Sequence, residues 1–193
     1  MKARSPCFGV GWLALIEVDS KGLTARRADL MKSLKPLCRG AKADIVIQPL
    51  PTQTNVFLGT TAGALREIRY PSRVDGFFLN YFEIWNNENG NKKFSLQKAY
   101  FHIDQSIDQG ASSLELMAVH CDPTTAKGDN AFLYKSGPHM HFNVLPGDMG
   151  KSHVALCLDS RDRVTSDIGA FRKASARIFQ MVNMEMVARL TTI

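Results

Sequence analysis

The fold of this chain is constrained most by a hairpin pattern, in which the aromatic runs VDGFFLNYFEIW and FSLQKAYFHID flank the polar segment NNENGNKK. Aromatic and β-branched residues are enriched in strands, and an Asn-Gly step suits the tight turn of a hairpin. The sequence therefore predicts a β-hairpin that turns at Asn89–Gly90. Alternation along the first run gives Tyr81, Glu83 and Trp85 a common strand face, which indicates a packed or half-exposed sheet surface rather than a platform for stacked bases.

Further β-prone segments follow this hairpin, and their sequences are SSLELMAVHCD, AFLYKSGPHMHFNVLP and SHVALCLD. The polar or glycine-bearing loops between them are too short to hold crossover helices, so an antiparallel meander is the economical topology. Two more β-rich segments, ADIVIQPL and NVFLGTTAG, precede the hairpin. We therefore expect residues 43–160 to be mainly β.

Two segments near the ends of the chain predict helices. Residues 24–40 read as a helix whose last turns are disturbed by Pro36. Residues 165–190 read as a long amphipathic helix that covers one side of the sheet. Its expected apolar face consists of Phe171, Ala174, Ile178, Met181 and Val182. The predicted fold is α+β, a single domain over residues 1–193 in which a mostly antiparallel, twisted sheet is flanked by an N-terminal helix and a long C-terminal helix.

The charge and the N-terminal segment bear on partners and location. The net charge of +6 favours acidic partners, such as a nucleotide, a nucleic acid or another phosphorylated ligand. The first 19 residues imitate a secretory signal peptide, but they contain no small-x-small cleavage site, and we interpret them as a buried first strand. No run approaches the ~18 apolar residues of a membrane span. These features predict a cytoplasmic protein with no membrane association.

The cysteines give no sign of a disulfide framework or a zinc site. Cys7, Cys38, Cys121 and Cys157 form neither a CxxC pair nor a zinc-binding spacing. Buried free thiols in a reducing compartment are the simplest interpretation.

All five histidines lie in the second half of the chain, and each falls in a predicted strand. Successive side chains of a strand point to opposite faces of the sheet. His139 and His141 therefore share one face of their strand, and His102 shares a face with Asp104. The same alternation places His153 opposite the apolar residues of its own strand. The sequence thus predicts an apolar core face and a second, solvent-facing face that carries imidazoles and carboxylates.

The expected meander also predicts which histidines meet. Residues opposite one another in an antiparallel pair have a roughly constant sum of residue numbers. This rule places His102 level with Glu115 on the next strand, and with about position 138 on the strand after that. The residues expected to converge are His102, His139 and His141, with Asp104, Glu115, His153 and Asp159 within reach. His120 is expected at the far end of the sheet, roughly 15 Å away at ~3.4 Å per residue, and is therefore the weakest candidate.

Such a group supports three kinds of chemistry. Imidazoles serve as general acid and base because their unperturbed pKa is about 6.5. They also bind zinc or iron through neutral nitrogens, and they can attack phosphorus as nucleophiles. The predicted catalytic residues are His141, His139, His102 and Asp104. The predicted metal ligands, for zinc or iron, are His102, Asp104, His139, His141 and His153.

The segment HMHFNVL at 139–145 resembles the signature strand of the histidine-triad nucleotide hydrolases and transferases. That signature alternates three histidines with apolar residues, and Asn143 stands here in the place of the third histidine. The resemblance implies that the middle histidine, His141, attacks an α-phosphate to form a nucleotidyl-enzyme.

The favoured hypothesis is an enzyme of phosphoester chemistry that acts on a nucleotide or a nucleic acid, as a hydrolase, a nuclease or a nucleotidyl transferase. In it, His141 is the nucleophile or base. His139 and His102 are acids or ligands, and Asp104 orients them.

Other interpretations stay open. His102, Asp104 and a distal histidine would form a two-histidine, one-carboxylate site for iron or zinc. A metal-free ribonuclease would use two histidines as acid and base, with Lys98 or Lys135 on the phosphate. A binding module or toxin-like interaction protein, whose histidines only line a pocket or an interface, is the non-enzymatic alternative.

Overall fold

The computed structural model describes residues 16–40, 42–59, 70–107, 113–122, 138–142, 152–155, 164 and 166–190. These residues form one antiparallel sheet of nine strands together with three helices, so the predicted α+β fold is confirmed. The strands are β1 (Glu17–Val18), β2 (Asp44–Pro49), β3 (Gln53–Gly59), β4 (Tyr70–Pro71), β5 (Phe77–Glu88), β6 (Lys93–Ser106), β7 (Ser113–Cys121), β8 (His139–Phe142) and β9 (Ser152–Ala155). The helices are α1 (Ser20–Leu34), α2 (Ile168–Val182) and the short α3 (Ala188–Leu190).

The central hairpin of the sheet is the one that the sequence predicts. β5 and β6 pair antiparallel along nearly their whole lengths. The turn between them contains Asn89, Gly90 and Asn91, with φ of 48°, 65° and 65°. Asparagine and glycine adopt this left-handed conformation more easily than other residues, so the Asn-Gly step explains where the chain turns.

The other strands extend this hairpin on both sides. Their order across the sheet is β2-β3-β5-β6-β7-β8-β9, while the short strands β1 and β4 pair with β6 and β5. From β5 to β9 each strand lies beside its successor in the chain, which confirms the predicted meander. Pro138 forms a bend immediately before β8, because proline has no N–H to give to the ladder. The predicted start of this strand, near residue 131, lies outside the described residues.

Both long helices begin at aspartate caps. Asp19 Oδ1 accepts a hydrogen bond from the Gly22 N–H at 2.8 Å, so α1 begins earlier than predicted. A 3₁₀ turn at Lys35–Leu37 follows α1. It contains Pro36, the residue expected to disturb the end of this helix. Asp167 Oδ1 accepts from the Ala170 N–H at 2.6 Å and caps α2.

The buried face of α2 differs from the prediction at one position. Its buried side chains are Ala170, Phe171, Ala174, Ser175, Ile178, Phe179 and Val182. Met181 is 43% exposed, so its predicted place on the apolar face is wrong. Near the end of α2 the buried side is centred on Phe179 and Val182, and Met181 lies about 100° around the helix from Val182. A π-helical turn at Asn183–Val187 then leads into α3.

A buried ionic network joins α1 and α2 to the covered face of the sheet. Arg26 is 1% exposed, and its Nε and Nη2 donate to Glu83 Oε1 and Tyr81 Oη, both at 2.8 Å. Its Nη2 also donates to Ser175 Oγ at 3.1 Å, and Trp85 Nε1 donates to Glu83 Oε2 at 2.9 Å. Burial disfavours the charge of Arg26, but Glu83 and Tyr81 outweigh this effect and raise the pKa of the guanidinium. The face of Tyr81, Glu83 and Trp85 is therefore packed, which is one of the two alternatives, packed or half-exposed, that the sequence predicts.

The structure also bears on the predictions for the cysteines, the first strand and membrane-spanning segments. Cys38 and Cys121 are buried and free, as predicted, while Cys7 and Cys157 lie outside the described residues. Most of the predicted first strand also lies outside them, and β1 is its described end. In the part of the chain that the structure describes, no helix is both long and apolar enough to cross a membrane.

Candidate metal centre

The sheet face opposite the helices carries four histidines on three neighbouring strands. His102 lies on β6, His120 on β7, and His139 and His141 on β8. In the strand register His120 pairs directly with His139, and His102 lies one row away, level with His141 across β7. Because side chains alternate along each strand, all four project from the same face. We refer to His102, His120, His139 and His141 as the histidine cluster.

The rings of the histidine cluster are in contact. The centroid of His120 lies 4.4 Å from that of His141 and 5.5 Å from that of His139, and the His139 and His141 centroids are 4.9 Å apart. His102 stacks on His120 at 5.1 Å, with 24° between the ring planes. Their Nε2 atoms are 3.1 Å apart. His120 is thus the centre of the cluster, since it touches the other three.

Three members of the cluster have the geometry of metal ligands. One ring nitrogen from each of His120, His139 and His141 lies within 4.8 Å of the other two, and no other group of this kind occurs among the described residues. His139 is 1% exposed and His141 is 7% exposed. Imidazole nitrogens suit zinc, iron, copper and nickel, so the donor set fits a divalent transition metal rather than calcium or magnesium.

The protonation state of His120 agrees with this donor set. Burial, and then the neighbouring imidazoles of His141, His102 and His139, lower its pKa to about 3. His120 is therefore neutral at physiological pH, and the neutral ring is the form that binds a metal.

A carboxylate holds the outermost histidine of the cluster. His102 Nδ1 lies 3.0 Å from Glu115 Oε2, and the two side chains are similarly half-buried. A carboxylate on Nδ1 favours the tautomer that keeps the proton there, so Nε2 of His102 accepts the hydrogen bond from Nε2–H of His120, and Nδ1 of His120 is the nitrogen left for a metal. Asp104 was predicted to orient the site, and it is buried opposite Glu115 in the strand register, next to a bulge.

The structure brings together His102, His139 and His141, as the sequence predicts, but two expectations are wrong. The pair on β8 was expected to face solvent and is buried. His120 was expected far from the site and lies at its centre. The prediction placed position 138 level with Glu115, whereas β8 begins after the Pro138 bend and places His139 level with His120.

His120 could have been found from its own strand. Along β7, Val119 and Cys121 are buried on the core face, so Ala118 and His120 must share the other face. Parity alone therefore gives the correct face for His120. The position of His120 along the sheet, relative to His139 and His141, could be obtained only from the strand register.

The remaining candidates take peripheral places. His153 lies level with His141 in the register of β8 and β9. Lys98 is exposed, with Nζ 6.0 Å from the centroid of Tyr100, whose own ring centroid lies 4.2 Å from that of His120. The predicted candidates Lys135 and Asp159 lie outside the described residues, as does Asn143, which replaces the third histidine of the resembling signature.

No protein-family model, no curated protein and no solved structure matches this chain. The resemblance of the β8 segment to the histidine-triad family therefore stays a prediction. The chemistry of the site is argued below from its own geometry.

Proposed function

We propose that this protein is a metal-dependent hydrolase in which His120, His139 and His141 hold one zinc or iron ion. The observation that carries the proposal is the mutual approach of their three nitrogens to within 4.8 Å. The ligands come from two directly paired strands, and a hydrogen-bonded ladder holds side chains more precisely than a loop does. Three protein nitrogens with a fourth position left for water or substrate is the ligand number of catalytic zinc sites.

His102 is proposed to act beside the metal rather than as a ligand. It is outside the group of mutually close donors, although its Nε2 lies 3.1 Å from His120 Nε2. With the Nδ1 proton held by Glu115, Nε2 of His102 would accept from the Nε2–H of His120 and so orient Nδ1 of that ring towards the metal. A bound zinc ion would also make a water molecule in its remaining position acidic, with a pKa of about 7.

The proposed substrate class is a phosphoester of a nucleotide or a nucleic acid. A metal ion with nearby imidazoles can stabilise the charge that develops on phosphate oxygens, and the net charge of +6 favours anionic ligands of the protein as a whole. In this proposal His141 is a metal ligand, and not the nucleophile that the β8 resemblance implies.

Metal analysis and hydrolysis assays test the proposal together. Protein purified without chelators should contain about one zinc or iron per chain, and should hydrolyse bis(p-nitrophenyl) phosphate. His139→Ala and His141→Ala should lose both the metal and the activity. His102→Leu should keep His139 and His141 as ligands and lose about 10–100-fold in metal affinity or activity, because it removes the group that orients His120.

The exposed residue Lys98, on the same strand as His102, provides the control. Lys98→Gln should retain the metal content, whatever its effect on substrate binding. Full activity in metal-free protein would instead support acid–base or nucleophilic catalysis by the histidines themselves. Metal retained by both β8 variants would refute the proposed ligand set.

A further inference from the structure

A groove of about 690 Å³ lies between α1 and α2, on the side of the sheet away from the histidine cluster. Its lining includes Lys32 of α1 and Lys173 of α2, and both are exposed. The groove also contains Asp29, but this carboxylate is paired with Arg172. Among the described residues, neither Lys32 nor Lys173 forms a salt bridge, so two ammonium groups face the groove with their charges available.

The helical segments carry most of the net charge of the chain. Residues 19–37 and 167–190 contain nine basic and four acidic side chains, a net charge of +5. The other 150 residues contain 15 basic and 14 acidic side chains, a net charge of +1. Arg26 is balanced by the buried Glu83 and Arg27 by Asp44 of β2, which leaves +3 on the helical surface. Charge of one sign gathered on one side of a molecule attracts polyanions over a Debye length, ~8 Å at physiological salt.

We propose that the groove between α1 and α2 binds the phosphodiester backbone of a nucleic acid. The two lysines supply the attraction. Ser33, Gln180 and Asn183 also line the groove, and hydroxyl and amide side chains are the neutral groups that donate to phosphate oxygens in such complexes. This surface is separate from the histidine cluster, and the proposal does not depend on the catalytic function proposed above.

The chemistry of the groove favours phosphates over other anionic partners. Both of its arginines are engaged, Arg26 with Glu83 and Arg172 with Asp29, so no guanidinium fork is left for the paired oxygens of a carboxylate. The available charges are lysines, which act as point charges and suit separately spaced phosphates. A membrane surface would also require an apolar helix face to insert, whereas the large apolar residue of the lining, Phe179, is 3% exposed.

Fluorescence anisotropy with a labelled DNA duplex of about 20 base pairs, and with one of its strands, tests this inference. The full chain should bind both, and more weakly at 200 mM than at 50 mM salt. The double variant Lys32→Gln/Lys173→Gln should weaken duplex binding at least about fivefold at 50 mM salt. It should also flatten the log–log salt dependence by about 1.8, since each lost phosphate contact contributes about 0.9.

The double variant Lys92→Gln/Lys93→Gln is the control, because it removes the same charge from exposed positions at the end of the β5–β6 turn and the start of β6, where Lys93 also gives up its 3.5 Å contact with Glu17. Its affinity should stay within about twofold of the unmodified protein. The groove variant should keep the metal content and the bis(p-nitrophenyl) phosphate hydrolysis of the unmodified protein, which separates this proposal from the catalytic one. Thermal melts of the two double variants establish that they are folded.

Three outcomes would overturn the inference. Equal losses in the groove and turn variants would mean that overall charge, and not the groove, attracts the nucleic acid. Absence of binding to either oligonucleotide at 50 mM salt would remove the proposed ligand. Groove-dependent binding of polyglutamate with the same affinity as the duplex would assign the surface to an acidic protein partner instead.

Discussion

At the scale of single residues, Arg26 and Glu83 illustrate how this core keeps a pair of charges. Moving either charge out of water costs several kcal/mol, and mutual attraction offsets that cost only when the remaining hydrogen-bonding capacity is also used. Tyr81 and Ser175 accept from Arg26, while Trp85 donates to Glu83. Loss of one charged partner would therefore leave the other charge buried without compensation.

The Arg26→Leu variant should lower the free energy of unfolding by about 3–5 kcal/mol, because it leaves the carboxylate of Glu83 buried and uncompensated. The double variant Arg26→Leu/Glu83→Leu should regain part of this loss in urea unfolding. Arg27→Leu is the matched control, since its pair with Asp44 is exposed and is worth about 1 kcal/mol or less. A double variant that is less stable than Arg26→Leu would contradict this account.

The buried thiols make stability depend on pH in the alkaline range. Burial raises the pKa of Cys38 and of Cys121 to about 12, well above the ordinary value of a thiol. Below pH 9 both thiols stay protonated whether the chain is folded or unfolded. Between about 9 and 12 the unfolded chain releases these protons and the folded chain retains them, so the free energy of unfolding falls as pH rises.

Denaturation curves from pH 7 to 11 check this dependence. The variant Cys38→Ala/Cys121→Ala should lose less stability across the alkaline window than the unmodified chain, although it starts from a lower value. Parallel pH curves for the two proteins would show that other groups account for the alkaline loss.

At the scale of secondary-structure elements, the β5–β6 turn depends on backbone conformations with positive φ. Gly90 has φ of 65°, which an L side chain adopts at a cost. Gly90→Ala should lower the free energy of unfolding by about 1 kcal/mol, as measured by thermal or urea unfolding. Asn91 has the same φ, so Asn91→Gly should be neutral or slightly stabilising. Destabilisation by Asn91→Gly as large as that by Gly90→Ala would exclude backbone conformation as the cause.

At the scale of elements, features that depend on neighbouring residues could be predicted from the sequence. Features that depend on contacts between distant segments could not. The Asn-Gly turn and the common face of His139 and His141 follow from neighbouring residues, and both were predicted. The position of His120 depends on how β7 slides against β8, which is decided by contacts between segments distant in the chain. The partner of Glu83 is 57 residues away on another element, so no local pattern pointed to Arg26.

At the scale of the whole molecule, the sheet separates two different surfaces. The helices cover one face, where the Arg26 network is buried and the basic groove opens outward. The other face carries the histidine cluster on β6, β7 and β8. Because a single layer of strands lies between them, substitutions in the groove and in the cluster should act independently of each other.

Metal binding should also stabilise the folded chain as a whole. A ligand that binds only the native state adds about 2.7 kcal/mol at a concentration one hundred times its Kd, which corresponds to about 5–11 °C in a chain of this size. Zinc should therefore raise the melting temperature of the unmodified protein. His120→Ala/His139→Ala should show no such rise, while His102→Ala should keep a smaller one. An equal rise in the first variant would place the zinc elsewhere.

The most direct measurement is anomalous diffraction at the zinc edge from crystals of the protein grown with zinc. The account predicts one strong peak about 2.0–2.1 Å from a ring nitrogen of each of His120, His139 and His141, with His102 and Glu115 next to it. A zinc-loaded crystal that has no peak among these three side chains, or a peak bound by other residues, would contradict it.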